Sequence, residues 1–157
     1  MIDELHDLAP YEPRLLVGPG PTGLDDVRTL TEHGVTGVLS LQTDDDLGAR
    51  GLRWPTFWQL YTARGIAALR VPIRDFDRKD LTRSIEIALT SLDELLTHHA
   101  RVYLHCTLGL NRSPTLALAH LYRSLGPERA LSALMERHPQ AVPYPDTLTK
   151  WWKKHGP

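Results

Sequence analysis

Cys106 and Arg112 are the residues best placed to do chemistry, and they stand six positions apart in His105-Cys106-Thr107-Leu108-Gly109-Leu110-Asn111-Arg112-Ser113-Pro114. An apolar run, Val102-Tyr103-Leu104, leads into them, and Thr115 to Tyr122 follows with apolar residues at helical spacing. The segment therefore reads as strand, tight loop and helix, with Ser113 as the expected N-cap and Pro114 at the first helical position. Such a loop gathers backbone N–H groups and the positive end of the helix dipole, and so binds anions. A thiol reacts as its thiolate, which a helix N-terminus and a nearby arginine favour. Arg112 offers a planar fork of donors that grips phosphate bidentately. Gly109 lets the backbone turn with φ > 0 and approach an anion closely. A thiolate at the base of a dianion cradle is set for in-line attack on phosphorus, which implies phosphomonoester hydrolysis through a phosphocysteine.

That reaction also needs an acid to protonate the departing oxygen. Ile66 to Ile73 reads as a strand, and Arg74-Asp75-Phe76-Asp77-Arg78-Lys79-Asp80-Leu81 follows it directly. On the residues alone, Asp75 and Asp77 both stand as the acid.

His-Cys, five residues and Arg-Ser resembles the signature of the cysteine-dependent protein tyrosine and dual-specificity phosphatases. The resemblance implies that Thr107, Leu108, Gly109, Leu110 and Asn111 form the phosphate-binding loop between Cys106 and Arg112. His105 would orient the loop, and the Ser113 hydroxyl would assist the sulfur as it leaves. Pro72-Ile73-x-Asp75 with Asp80-Leu81 five residues on is similar to the general-acid loop of dual-specificity phosphatases. It places the acid at Asp75 and leaves Asp77 as a turn or helix-entry residue. Two stretches, Val38 to Leu47 and Ile73 to Leu81, further resemble the plant starch-excess type of glucan phosphatase. That likeness implies that Phe76 lines a glucan channel and that Tyr144, before Pro145, does the same. Asn111 and Ser113 depart from the plant pattern of Gly and Ala at those places and match ordinary dual-specificity enzymes. The resemblance implies no metal and no cofactor. The substrate would be a phosphorylated protein, bearing phosphotyrosine and also phosphoserine or phosphothreonine, with phosphorylated glucan as the alternative.

The elements that must position these groups alternate along the chain. Arg14–Gly18 reads as a strand, Leu24–His33 as a helix closed by Gly34, and 34–41 as a buried strand. The acids Asp44, Asp45 and Asp46 read as a solvated loop or a helix N-terminus, where acids are favoured, in preference to a metal site. Trp54, Phe57, Trp58 and Tyr61 fall at helical spacing, so they form either a helix packed on the core or an aromatic wall in which Trp54 and Trp58 stack on substrate. A long amphipathic helix, 81–99, carries Ile85, Ala88, Leu89, Leu92, Leu95 and Leu96 on one face. Glu128–Arg137 makes a short helix, and Asp146 is expected to cap a last one bearing Leu148 and Trp151. The fold class expected is α/β: a central, mainly parallel sheet flanked by helices. Its catalytic loop would lie outside the carboxyl ends of the strands.

Length suits one domain over 1–157, with 1–13 as an N-terminal arm. A net charge of −1 gives no basic surplus for nucleic acid or an anionic membrane. Asp3, Glu4 and Asp7 do not make a signal peptide, and no apolar run reaches membrane-spanning length. The single Cys rules out an internal disulfide and fits a reducing, cytoplasmic compartment. Two other classes use related parts. A sulfurtransferase also places a Cys loop at a helix N-terminus, but the Arg-Ser ending and the acid loop argue against it. An inactive phospho-binding module would not need Cys106, Arg112 and Asp75 together.

Overall fold

The computed structural model describes residues 2–157. The chain runs β1 (His6–Asp7), β2 (Leu15–Gly18), α1 (Leu24–Glu32), β3 (Gly37–Ser40), α2 (Asp44–Gly48), α3 (Trp54–Thr62) and β4 (Ala67–Arg70). It continues with α4 (Arg78–His98), β5 (Val102–His105), α5 (Arg112–Leu125), α6 (Pro127–Arg137) and α7 (Pro145–His155). One sheet orders the strands β1-β2-β5-β3-β4. Its four longer strands are parallel and β1 is an antiparallel edge.

Period-two alternation divides the apolar side chains between two cores. Leu15, Val17, Leu39, Val102 and Leu104 join one core, whose helical side includes Leu89, Leu92, Leu116, Leu121, Leu148 and Trp151. Leu16, Val38, Ala68 and Tyr103 point the other way, onto Val27, Leu30, Phe57 and Tyr61. β5 is sandwiched between β2 and β3, and Val102, Tyr103 and Leu104 are fully buried. Truncating Leu104 would cost about 2–5 kcal/mol.

The register sets the site. Gly18, His105 and Ser40 lie side by side, and Ser40 also pairs with Arg70. Four carboxyl ends are therefore flush, and the segments that leave them converge at one edge, where open α/β sheets hold ligands. No helix among the described residues is long and apolar enough to cross a membrane.

Several expectations change. The arm contributes the short strand β1, paired His6 to Val17 and Asp7 to Leu16. The helix after the signature begins at Arg112 with Asn111 as N-cap, so Ser113 is not the cap and Pro114 is not its first residue. The loop needs Ser113 within reach of Cys106, which puts the serine inside the first turn. α7 is capped by Tyr144, and Asp146 sits in its first turn, paired instead with Arg78 at 2.6 Å. α4 starts earlier than expected because Asp77 caps it by accepting the Asp80 amide at 2.9 Å. Its six expected inward residues are all buried.

Candidate active site

Cys106 leaves β5 at its carboxyl end and is 2% exposed. Its Sγ lies 3.2 Å from Ser113 Oγ, the contact that a serine within the first helical turn makes possible. No side chain caps α5, so the positive end of its dipole faces the loop.

The peptide planes between Cys106 and Asn111 show which way the loop's amides face. In a trans peptide, C=O and the following N–H point in opposite directions. The Cys106 carbonyl is held outward by the His105 ring at 2.9 Å. The Thr107 carbonyl accepts from Gly20 N at 2.9 Å, and the Leu110 carbonyl from Val142 N at 2.6 Å. The amides of Thr107, Leu108 and Asn111 are thereby turned to the opposite side, the interior of the loop. Two glycines permit this. A Cβ on Gly20 would lie 2.8 Å from the Cys106 carbonyl oxygen. Gly109 has φ +74°, and a Cβ there would meet the Gly18 backbone at 2.5 Å.

His105 is completely enclosed, and burial lowers its imidazole to about 4. It is a neutral ring that donates from Nδ1, and Nε2 has no partner among the described residues.

Arg112 is 2% exposed yet charged, so its partners define the site. Nη1 donates to Asp46 Oδ2 at 2.6 Å and to the Ile73 carbonyl at 2.8 Å. Nη2 reaches Thr107 Oγ1 at 3.3 Å. Nε is buried without a hydrogen bond and stands 3.4 Å from Asp75 Oδ1. One edge of the guanidinium is thus anchored behind, and the Nε–Nη2 edge is presented to the loop. Burial alone would raise the Asp46 carboxyl, but hydrogen bonds from Arg112 and from the Thr43 amide, with the charge of Arg112, hold it below its ordinary value. Thr43 and Asp46 also form a capping box at the start of α2.

A cavity of about 260 Å³ opens over these groups, with Cys106, Arg112 and Asp75 in its lining. Phe76, Leu108, Leu110, Asn111, Val142 and Tyr144 supply the rest of the wall. The two acids separate by position: Asp75 lines the cavity, whereas Asp77 is occupied as the cap of α4 and lies 3.5 Å from Arg74. Phe76 follows Asp75 with φ 58°, which turns its ring outward at the mouth, 83% exposed. Tyr144 lines the cavity while Arg78 packs over its ring at 4.2 Å, an arginine itself paired with Asp146.

Trp54 and Trp58 do not join this wall. Trp54 tilts against Tyr61 and carries Arg70 over its ring at 5.4 Å, in a separate cleft with Asp44. Trp58 is half-exposed on α3. Helical spacing sends Phe57 and Tyr61 into the core with Trp54 partly buried beside them, and leaves Trp58 on the outer side. Asp46, Gln42 and Val142 are contributors that the sequence did not single out. Gln42 Nε2 donates to Thr107 Oγ1 at 3.1 Å. For Asp46 the Thr-x-x-Asp spacing signals a cap but not the contact with Arg112.

An amyloplastic phosphoglucan phosphatase from Castanea sativa is 33% identical over 112 residues, 70% of this chain and 30% of that protein. Laforin from Mus musculus is 28% identical over 125 residues, 73% of this chain and 38% of its own length. The chain thus spans about a third of these relatives. Among solved structures, the human tyrosine phosphatase-like serine/threonine/tyrosine-interacting protein superposes with a TM-score of 0.72 at 21% identity, covering 92% of this chain and 95% of the other. Tk-PTP in its active form gives 0.71 at 21% identity and 99% coverage of both chains. These two share the fold. The family model for the dual specificity phosphatase catalytic domain matches residues 22–151, and the chain belongs to that family.

Proposed function

We propose that this chain is a cysteine-dependent phosphomonoester hydrolase of dual-specificity type, working through a phosphocysteine in a reducing compartment. One observation carries the reading: a buried guanidinium whose Nε makes no hydrogen bond faces the same cavity as a buried thiol. That buried N–H has only the Asp75 carboxylate nearby, 3.4 Å away and not hydrogen-bonded, and a phosphoryl oxygen would satisfy it.

In the first step Cys106 Sγ, as thiolate, forms a bond to phosphorus as the ester P–O bond breaks. Asp75 gives its proton to the leaving oxygen. The Nε–Nη2 edge of Arg112 and the inward amides hold the equatorial oxygens, where charge must be stabilised. Phosphate binding displaces the 3.4 Å contact between Arg112 and Asp75 and frees the carboxyl for the leaving group. In the second step water attacks phosphorus, Asp75 takes its proton, and Sγ departs with the Ser113 hydroxyl donating to it.

The wall supports phosphotyrosine, and also phosphoserine and phosphothreonine, of proteins. It is built mostly from apolar side chains on three short segments, and among the described residues Arg112 is the only cation in its lining. An aryl or alkyl ester fits such a wall better than a polyanionic one. A second reading, phosphorylated glucan, draws on the exposed Phe76 ring in the same cavity as Tyr144, since aromatic faces stack on sugars, and on the similarity to phosphoglucan phosphatases. Phosphate release from a phosphotyrosine peptide and from solubilised phosphorylated glucan, measured side by side with Cys106→Ser as control, separates the two. Faster release from peptide supports the first reading. Faster release from glucan, lost in Phe76→Ala, replaces it with the second. Release undiminished in Cys106→Ser overturns both.

A further inference from the structure

One loop carbonyl has a side-chain donor from a distant part of the chain. His138, the residue after α6, is 1% exposed, and its Nε2 lies 2.7 Å from the Gly109 carbonyl. A carbonyl only accepts, so Nε2 carries the proton and Nδ1 is bare; Nδ1 has no partner among the described residues. Burial also lowers the His138 imidazole and keeps it neutral. Its ring is fixed from the other side by His6 of β1, stacked at 3.6 Å with 11° between the planes. The arm that delivers His6 is tied in turn to β2, whose last residue, Gly18, packs on Gly109.

We propose that His138 is a positioning residue for the phosphate-binding loop: by holding the Gly109 carbonyl outward, it turns the Leu110 N–H inward to the phosphoryl oxygens. The inference rests on the hydrolase reading above and adds to it a residue on which the cradle depends. Gly109 is the position in the loop where this support matters most. Glycine at positive φ is free to rotate its peptide, and a flipped Gly109–Leu110 peptide would aim a carbonyl at the anion. The other three outward carbonyls are held by neighbouring backbone or by His105.

Three variants of the full chain test this, with orthovanadate as the probe and p-nitrophenyl phosphate as the substrate. His138→Phe keeps a ring for the stack and removes the donor. His138→Gln keeps a donor at similar reach. His6→Ala removes the stack and keeps the donor. His138→Phe is expected to weaken vanadate binding and lower kcat/KM by about tenfold each, the scale of one supporting hydrogen bond. His138→Gln and His6→Ala are expected to stay within about threefold of wild type in both, even where their thermal midpoints fall. If His138→Phe does not fold, the Gln variant decides: vanadate binding weakened about tenfold in it overturns the proposal. Equal vanadate affinity in wild type and His138→Phe overturns it while leaving the hydrolase reading intact. Affinity that tracks the thermal midpoint across all three variants also overturns it, because the ring would then only be packing. A wild-type protein that neither binds vanadate nor hydrolyses the ester overturns both readings together.

Discussion

Removing the Asp46 carboxylate should loosen the grip on Arg112 without touching any residue that meets substrate. Asp46 Oδ2 accepts from Arg112 Nη1 at 2.6 Å, and only the Ile73 carbonyl shares that nitrogen. In Asp46→Ala the lost charge-assisted hydrogen bond is worth about 2 kcal/mol. The lost capping box adds about 1 kcal/mol. A total near 3 kcal/mol corresponds to a fall of about 6–12 °C in melting temperature for a chain of this size. The catalytic cost is separate. An unanchored guanidinium can swing toward Asp75, 3.4 Å from Nε, and offer the wrong edge to phosphate. Loss of orientation at the main anion ligand should lower kcat/KM on p-nitrophenyl phosphate by about 10²-fold. Asp46→Asn keeps an acceptor and a cap, so it should lose about 1 kcal/mol and about tenfold in rate. Acidity gives a second readout. The folded Asp46 carboxyl lies below its ordinary 3.8, so its stabilisation is present above that pH and fades as pH falls through the lower folded value. The Asn variant should lose that part of the acid limb. Differential scanning fluorimetry across pH and steady-state kinetics supply the numbers. An Asp46→Ala protein with a lowered melting temperature and wild-type kcat/KM would refute the anchoring role.

Three further outcomes follow from the same geometry. Ser113→Ala removes the hydroxyl 3.2 Å from Sγ, so the first turnover should keep its speed while the second step slows by about tenfold or more, giving a pre-steady-state burst of product. Asp75→Asn should cost about 10²–10⁴-fold on an alkyl phosphate and far less on p-nitrophenyl phosphate, whose leaving group needs little protonation. Asp77→Asn should instead show only a modest change in melting temperature, since Asp77 caps α4. Neutral His105 binds a proton at about 4 when folded against an ordinary 6.5, so the unfolded chain holds more protons between those values. Stability should therefore be full above about pH 6.5 and fall by about 3 kcal/mol on the way down to pH 4, beyond any loss from carboxylates. His105→Gln should flatten that stretch of the denaturation profile.

Much of this site was legible because it is local in sequence. Cys106, Gly109, Arg112 and Ser113 lie within eight residues, and the strand and helix around them carry unbroken apolar patterns. Position after a strand leaves Asp75 and Asp77 level, the likeness to the general-acid loop favours Asp75, and the cap role of Asp77 explains why only one of the two acids faces the cavity. What the sequence hid depends on distant chain. Asp46 reaches Arg112 only because β3 pairs beside β5, and His138 reaches Gly109 only because α6 returns the chain under the loop. Trp54 and Trp58 were ambiguous for a related reason. Helical spacing tells which aromatics share a face, but not which face meets the site. Serine is a favoured N-cap residue, but the Ser113 hydroxyl is directed to Sγ instead.

The most direct test of the account is rapid-quench mass spectrometry of the intact protein during turnover of p-nitrophenyl phosphate. The account expects a transient gain of one phosphoryl group on Cys106, larger in Ser113→Ala and absent in Cys106→Ser. Turnover at full rate with no adduct on Cys106, or with no loss in Cys106→Ser, would contradict it.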